Sequence, residues 1–225
     1  MSVAAPLSTA QKDFLELLVT RQALSFGEFT LKSGRKSPYF INTGCFHQGG
    51  DLAALGRAYA ATILASFGSG IQVIFGPVYK GIPLALAAAQ AYQAEVGRPV
   101  GWTYDRKEAK DHGDGGLFVG APLSPGTSVV IVDDVLTAGT ALREAVAKLA
   151  PARVDIRGAV VAVDRREKGK GELTAIEEIA RDLGIPVAAI ISITDAAAYL
   201  ADHDVGGRRF LSAEQHARIL GHLAS

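Results

Sequence analysis

The 225-residue chain balances 23 Lys and Arg against 23 Asp and Glu, so no overall charge draws it to nucleic acid or to an anionic membrane. Its 48% hydrophobic content is ample for a core, yet no run approaches the roughly 18 apolar residues of a membrane span. Cys45 is the only cysteine, which excludes intrachain disulfides and cysteine-based zinc sites.

Met1 to Ser8 lacks the basic flank and apolar stretch of a signal peptide, and a cytoplasmic protein is expected. Ser8 and Gln11 have the spacing of a capping box, and Phe14, Leu15, Leu17 and Leu18 supply the apolar stripe of a helix near residues 9–21. Two short strands follow, Phe26–Leu31 and Tyr39–Asn42, with Ser33-Gly34 as the turn signal between them. This segment lacks βαβ rhythm and reads as an N-terminal hood, about residues 1–45, laid over the rest. A helix is expected over Asp51–Ser66, stopped by Gly68–Gly70.

Regular alternation then sets in. Strand Ile71–Phe75, loop Gly76–Gly81 and helix Ile82–Ala94 lead to strand Val100–Tyr104, the polar stretch Asp105–Gly116 and a short apolar run, Leu117–Val119. Val129–Val132 is a continuous branched run, the mark of a strand buried on both faces; it ends in Asp133 and Asp134. A loop with Thr137, Gly139 and Thr140 and a helix over Ala141–Ala150 come next. Strand Val154–Val163, helix Leu173–Leu183, strand Val187–Ile193 and helices near 196–201 and 212–222 complete the chain, with Gly184 and Pro186 marking one helix stop. The pattern predicts an α/β fold, a mainly parallel twisted sheet flanked by helices, in a single domain spanning 1–225.

Three loops fall at the carboxyl ends of strands, where open α/β sheets bind ligands. Gly76–Gly81 has glycines at both edges and Lys80 within, so its amides and a point charge can meet a phosphate. Asp105–Gly116 carries Arg106, Lys107, Lys110 and His112 without an apolar residue larger than alanine, which suits a mobile cationic lid. Asp133 and Asp134 with the following Gly/Thr loop suit a sugar phosphate: the amides take the phosphate, the acids hydroxyls or a metal. A magnesium-holding acidic strand of a nucleotide hydrolase needs a partner Gly-x-x-x-x-Gly-Lys-Ser/Thr loop, which the chain lacks. A response-regulator receiver is about half this length and has no need of the cationic stretch.

The acidic strand end and its loop resemble the phosphoribosyl-diphosphate signature of the type I phosphoribosyltransferases. Four segments, Phe26–Phe40, Gly76–Pro83, Arg106–Gly113 and Asp133–Ala141, resemble in that order the orotate phosphoribosyltransferases, and Asp164-Arg165 with Gly169–Glu172 extends the likeness over roughly residues 8–200. Where members of that family often carry a second aromatic after Phe40, this chain has Ile41. The segment after Asp204 matches less clearly and is assigned no role.

The resemblance implies the type I phosphoribosyltransferase fold and the transfer of a phosphoribosyl group from 5-phosphoribosyl 1-diphosphate to orotate. It implies a diphosphate-sugar site of Lys32, Tyr79, Lys80, Arg106, Lys107, Lys110, His112, Asp133, Asp134, Val135, Leu136, Thr137, Ala138, Gly139, Thr140 and Ala141. Orotate would be held by Phe40, Ile41, Thr137 and Arg165, and catalysis would fall to Lys110, His112 and Asp134. Magnesium is the implied cofactor, held mainly by substrate oxygens and water, with no dedicated protein ligands. A homodimer is implied, the Arg106–Gly113 loop closing in trans over the neighbouring subunit's site.

Orotate's own ring nitrogen is the nucleophile, so no protein nucleophile is required, and Cys45 reads as a small buried residue. His112 is an acid, a hydrogen-bond donor or a lid residue; its residue type does not choose. A purine or uracil phosphoribosyltransferase shares the acidic loop, but Arg165 suits orotate's carboxylate. A non-catalytic sensor would need a basic DNA-binding module. No room for a fused decarboxylase domain is expected in a chain of this length.

Overall fold

The structure, a computed structural model, describes residues 6–31, 34–110, 116–136, 139–169 and 171–224, with only the backbone of Ala109 and Lys110. The chain opens with α1 (Thr9–Thr20), whose Ser8 and Gln11 form the expected capping box. Gln11 also donates from Nε2 to the Ile190 carbonyl at 2.9 Å, fastening the helix to a strand far along the chain. Strands β1 (Leu24–Thr30) and β2 (Lys36–Ile41) pair antiparallel as a two-stranded sheet of their own.

After α2 (Gly49–Phe67) the main sheet begins. It comprises β3 (Val73–Phe75), β4 (Gly101–Lys110), β5 (Gly116–Gly120), β6 (Ser128–Val135), β7 (Asp155–Asp164) and β8 (Val187–Ser192). Their spatial order is β5-β4-β3-β6-β7-β8, parallel throughout except for the β4–β5 hairpin at one edge. The connecting helices are α3 (Gly81–Val96), α4 (Thr140–Leu149) and α5 (Ala175–Leu183); α6 (Ile193–Asp202) and α7 (Ala213–Ala224) follow β8.

Strand alternation builds two cores from the same strands. Ile74, Val130, Val132 and Val160 face a core completed by α1, α2, α3 and α6. Val73, Phe75, Val129, Ile131 and Val161 face the opposite core, closed by Leu142, Ala145 and Leu149 of α4 and Ile179 of α5. Both faces are therefore apolar, as the unbroken run Val129–Val132 foretold.

The strand order also creates the crevice. The chain leaves β3 for β4 on one side and later returns to place β6 on the other. At this reversal the connections diverge, and the carboxyl ends of β3 and β6 are left side by side.

Two expectations need correcting. The polar stretch after Tyr104 is not loop from Asp105 onward: β4 continues to Lys110, and Asp105 pairs with Phe118 of β5. An antiparallel ladder satisfies backbone groups whatever the side chains, so polarity alone did not mark the strand's end. Cys45 is half-buried in a 3-10 turn, its thiol 4.0 Å from the Gln22 carbonyl, not enclosed in the core. Among the described residues no helix is long and apolar enough to cross a membrane.

Candidate functional site

The loop after β3 folds back on itself. A Cβ on Gly76 would lie 2.0 Å from the Gly81 carbonyl oxygen, so only glycine permits the approach. The Val78–Tyr79 peptide bond is cis, and the Tyr79 side chain is exposed. Lys80 reaches across the crevice to Asp134, Nζ to Oδ2 at 2.6 Å.

At the end of β6 the two acids diverge, because consecutive strand residues face opposite sides of the sheet. Asp133 lines a cavity of about 260 Å³ with Val135, Leu136, Gly139, Thr140 and Ala141. Asp134 lines another, of about 170 Å³, with Thr43, Tyr59 and Lys80. Each carboxylate accepts the next residue's amide, Asp134 N–H to Asp133 Oδ1 at 2.9 Å and Val135 N–H to Asp134 Oδ1 at 2.8 Å. Burial pushes Asp133 up to about 6, and the neighbouring Asp134 charge adds to it. Burial pushes Asp134 up as well, but Lys80, Thr43 and the Val135 amide outweigh it and hold its carboxyl below the usual value.

Gly139 enters α4 with φ +69°, and a Cβ there would lie 1.7 Å from Ile179 Cδ1 of α5. Among the described residues no side chain caps α4, which leaves its first-turn amides available to an anion.

The third part of the site lies at the end of β7. Arg165 donates from Nε and Nη2 to Glu167 Oε1, at 3.0 and 2.6 Å. Tyr39 of β2 donates its hydroxyl to the same oxygen at 2.7 Å, and Arg35 donates to Oε2 at 2.9 Å. The guanidinium also sits over the Tyr39 ring, 5.3 Å from its centroid. Burial and the adjacent Glu167 charge raise the Tyr39 phenol, so it stays a donor. Burial disfavours the Glu167 carboxylate, but hydrogen bonds from Tyr39 and Arg165 prevail and hold its pKa low.

One cleft of about 1380 Å³ brings together Phe40, Leu136, Thr140 and Arg165. Phe40 is exposed and stacks on Phe29 at 5.5 Å, whereas Ile41 pairs with Leu24 and leans on the core. Arg106 and Lys107 ride on β4 beyond Asp105. Lys32, His112, Thr137 and Ala138 lie outside the described residues, as does the side chain of Lys110.

Sequence reasoning missed Thr43, which donates to Asp134 Oδ2 at 2.7 Å, and Tyr59, whose hydroxyl donates to the Asp133 carbonyl at 2.7 Å. It also missed Glu167, although an acid two residues after Arg165 at a strand end was a usable signal. The tail, assigned no role, docks α7 against β2: His222 packs edge-on to Tyr39 at 6.2 Å.

Among the described residues no three His, Cys, Asp or Glu side chains gather as a metal cage. The two carboxylates of the strand end line separate cavities and one already holds a lysine, which fits an ion held mainly by substrate oxygens and water.

Comparison with known proteins gives this geometry its class. Residues 43–179 match the family described as phosphoribosyl transferase domain, so the fold and the acidic strand end are those of a phosphoribosyltransferase. An orotate phosphoribosyltransferase of Pseudomonas putida is 52% identical over 192 residues, 85% of this chain and 89% of that protein. One from Vibrio cholerae is 51% identical over 190 residues, 84% of this chain and 88% of the other. The crystal structure of orotate phosphoribosyltransferase from Francisella tularensis superposes with a TM-score of 0.79 at 37% identity, covering 93% of this chain and 96% of that one. The chain belongs to the orotate phosphoribosyltransferase family.

Proposed function

We propose that the chain transfers the phosphoribosyl group of 5-phosphoribosyl 1-diphosphate to orotate, giving orotidine 5-monophosphate and diphosphate in pyrimidine synthesis in the cytoplasm. The observation that carries this reading is the Arg165 guanidinium, held rigid by Glu167 and Tyr39 in the cleft shared with Thr140 and Leu136. Glu167 engages two of the five donors of the fork, and the rest receive orotate's carboxylate. Phe40, Ile41 and Thr137 complete the base site, Ile41 through its backbone.

On the sugar side, the amides from Thr137 to Ala141 receive the 5-phosphate at the start of α4. Asp133 and Asp134 face the ribose 2- and 3-hydroxyls, and Lys80 moves from Asp134 to the diphosphate. Lys32, Tyr79, Arg106, Lys107, Lys110 and His112 meet the same diphosphate. Magnesium, when bound, adds positive charge to the departing diphosphate. Lys110 does so from the protein, with the β4–β5 arm closing over the neighbouring subunit of a homodimer. The domain spans 1–225, with the segment up to about residue 45 as hood.

Base consumption decides the reading: purified protein with magnesium and phosphoribosyl diphosphate is expected to consume orotate and to leave hypoxanthine and uracil. Turnover of either other base in place of orotate overturns it. For the trans arm, Lys110→Ala is expected to lose two to three decades of rate, about 3–4 kcal/mol. Mixing it with Asp134→Asn under subunit exchange is expected to restore activity; no recovery with exchange confirmed places Lys110 in its own subunit's site.

A further inference from the structure

Asp105 is buried, 2% exposed, one residue before the cationic segment of β4. Its Oδ1 accepts the Val78 amide of the Gly76–Gly81 loop at 2.9 Å. Its Oδ2 pairs with Lys148 in the last turn of α4, the helix whose first turn lines the acidic cavity. One carboxylate thus touches three substrate-facing elements: the loop after β3, the β4–β5 arm and the helix behind the acidic strand end.

The surroundings reinforce that junction. Gly76 N–H donates to the Thr103 carbonyl at 2.9 Å, and Thr103 Oγ1 to the Ala121 carbonyl at 2.8 Å. Phe118, which pairs with Asp105, meets Phe75 edge-on at 5.9 Å, directly below the loop. Apolar packing already joins arm and sheet here, so adhesion does not require an acid. Burying the Asp105 carboxylate costs several kcal/mol before its attraction to the half-buried Lys148 ammonium offsets it, and an apolar pair of similar volume is often as stable. What an apolar residue cannot do is accept the Val78 N–H. With that amide drawn inward, the backbone orientation of the next three residues, Tyr79, Lys80 and Gly81, is fixed relative to Arg106 and Lys107.

We propose that Asp105 is a positioning residue for the leaving group: by holding the Val78 amide it sets the Gly76–Gly81 loop against the cationic arm. This rests on the reading that the loop receives the diphosphate, so a control for that reading belongs in the test.

The decisive comparison is between two double variants of the full chain, Asp105→Val with Lys148→Met and Asp105→Asn with Lys148→Met. Both remove the ion pair to the buried Asp105, and only the second keeps an acceptor for Val78. The Val/Met protein is expected to raise the KM for phosphoribosyl diphosphate about tenfold, the effect of a donor left without its acceptor, with the KM for orotate little changed. The Asn/Met protein is expected to stay near wild type for both substrates. Thermal melts of each variant report the folded fraction, and a structural role alone would lower kcat with that fraction and spare the ratio of the two KM values. Equal kinetics for the two doubles, or equal rises in both KM values, overturn the proposal. Lys80→Ala is the control. If it leaves the KM for phosphoribosyl diphosphate unchanged, the diphosphate reading of the loop falls and the proposal with it; if it raises that KM while Val/Met does not, the proposal alone fails.

Discussion

At the end of β6, Asp134 is clamped by Lys80 and Thr43 while Asp133, one residue earlier, is pushed up to about 6 by burial. At the end of β7, Glu167 is satisfied on both oxygens by Arg165, Tyr39 and Arg35. Both places gather charge at strand ends of one sheet, yet they hold it differently. The β7 cluster is a closed frame: its cation is already aligned, and a ligand carboxylate adds to it without displacing anything. The β6 cluster is an exchange site, since Lys80 and Asp134 each face a different part of the proposed substrate and must separate to reach it. Lys80 is 65% exposed on its side chain and can swing free, whereas Asp134, 14% exposed, needs a new partner when the lysine leaves. In the proposed function the base is met by a fixed template and the sugar diphosphate by groups that change partners.

The largest effect is expected from breaking the frame. Arg165→Ala leaves the Glu167 carboxylate half-buried without its principal cation, a change that costs roughly 2–5 kcal/mol at a buried charge pair. kcat/KM for orotate is expected to fall by about a hundredfold or more, with the KM for phosphoribosyl diphosphate changing much less. Steady-state kinetics with each substrate varied separately measure this. Equal losses for both substrates would erase the distinction between template and exchange site.

Asp133 sharpens the other side through pH. Its folded pKa of about 6 lies above the ordinary 3.8, so between these values the folded chain keeps a proton that the unfolded chain has released. Stability from this group is therefore full below the unfolded pKa and is lost as pH rises through about 6. Asp133→Asn removes the titration, so the stability of wild type relative to the variant is expected to fall by about 2 kcal/mol between about pH 4.5 and about pH 7.5. Asp134, depressed, acts in a separate window: its contribution is lost only as pH falls below its ordinary 3.8. Urea unfolding of both proteins at the two pH values measures the difference; a constant gap places the proton elsewhere.

What was legible in the sequence followed from what is local. A buried parallel strand writes itself as an unbroken branched run, so β6 and the acids at its end stood out, as did the turn glycines and the Ser8 box. Arg165 could be singled out as a cation at a strand end, but the carboxylate that aligns it and the Tyr39 hydroxyl 128 residues before that carboxylate meet only in the fold. Thr43 and Asp134 are 91 residues apart, and neither has a pattern that names the other. Asp105 was misread for a different reason. Composition marks apolar strands, and an edge hairpin whose order comes from backbone pairing carries no such mark.

The smallest expected effect separates the two halves most cleanly. Thr43 follows β2 in the 3-10 turn, donates to Asp134 Oδ2 at 2.7 Å and accepts from Lys80 at 3.4 Å, so it links the hood to the exchange site. Thr43→Val keeps the shape and removes one hydrogen bond to a carboxylate, a loss of about 1.5 kcal/mol. The KM for phosphoribosyl diphosphate is expected to rise several-fold, and Asp134, short of one stabilising donor, to titrate at a higher pH. Arg35→Met is the matched change on the base side, because it removes one exposed donor from Glu167 and leaves Arg165 and Tyr39 in place. Its effect on the KM for orotate is expected to be less than about twofold, as for a surface ion pair. A closed frame tolerates the loss of an outer member, whereas an exchange site registers every donor that decides when its lysine lets go. If Arg35→Met were the more damaging of the two, the assignments of frame and exchange site would have to be reversed.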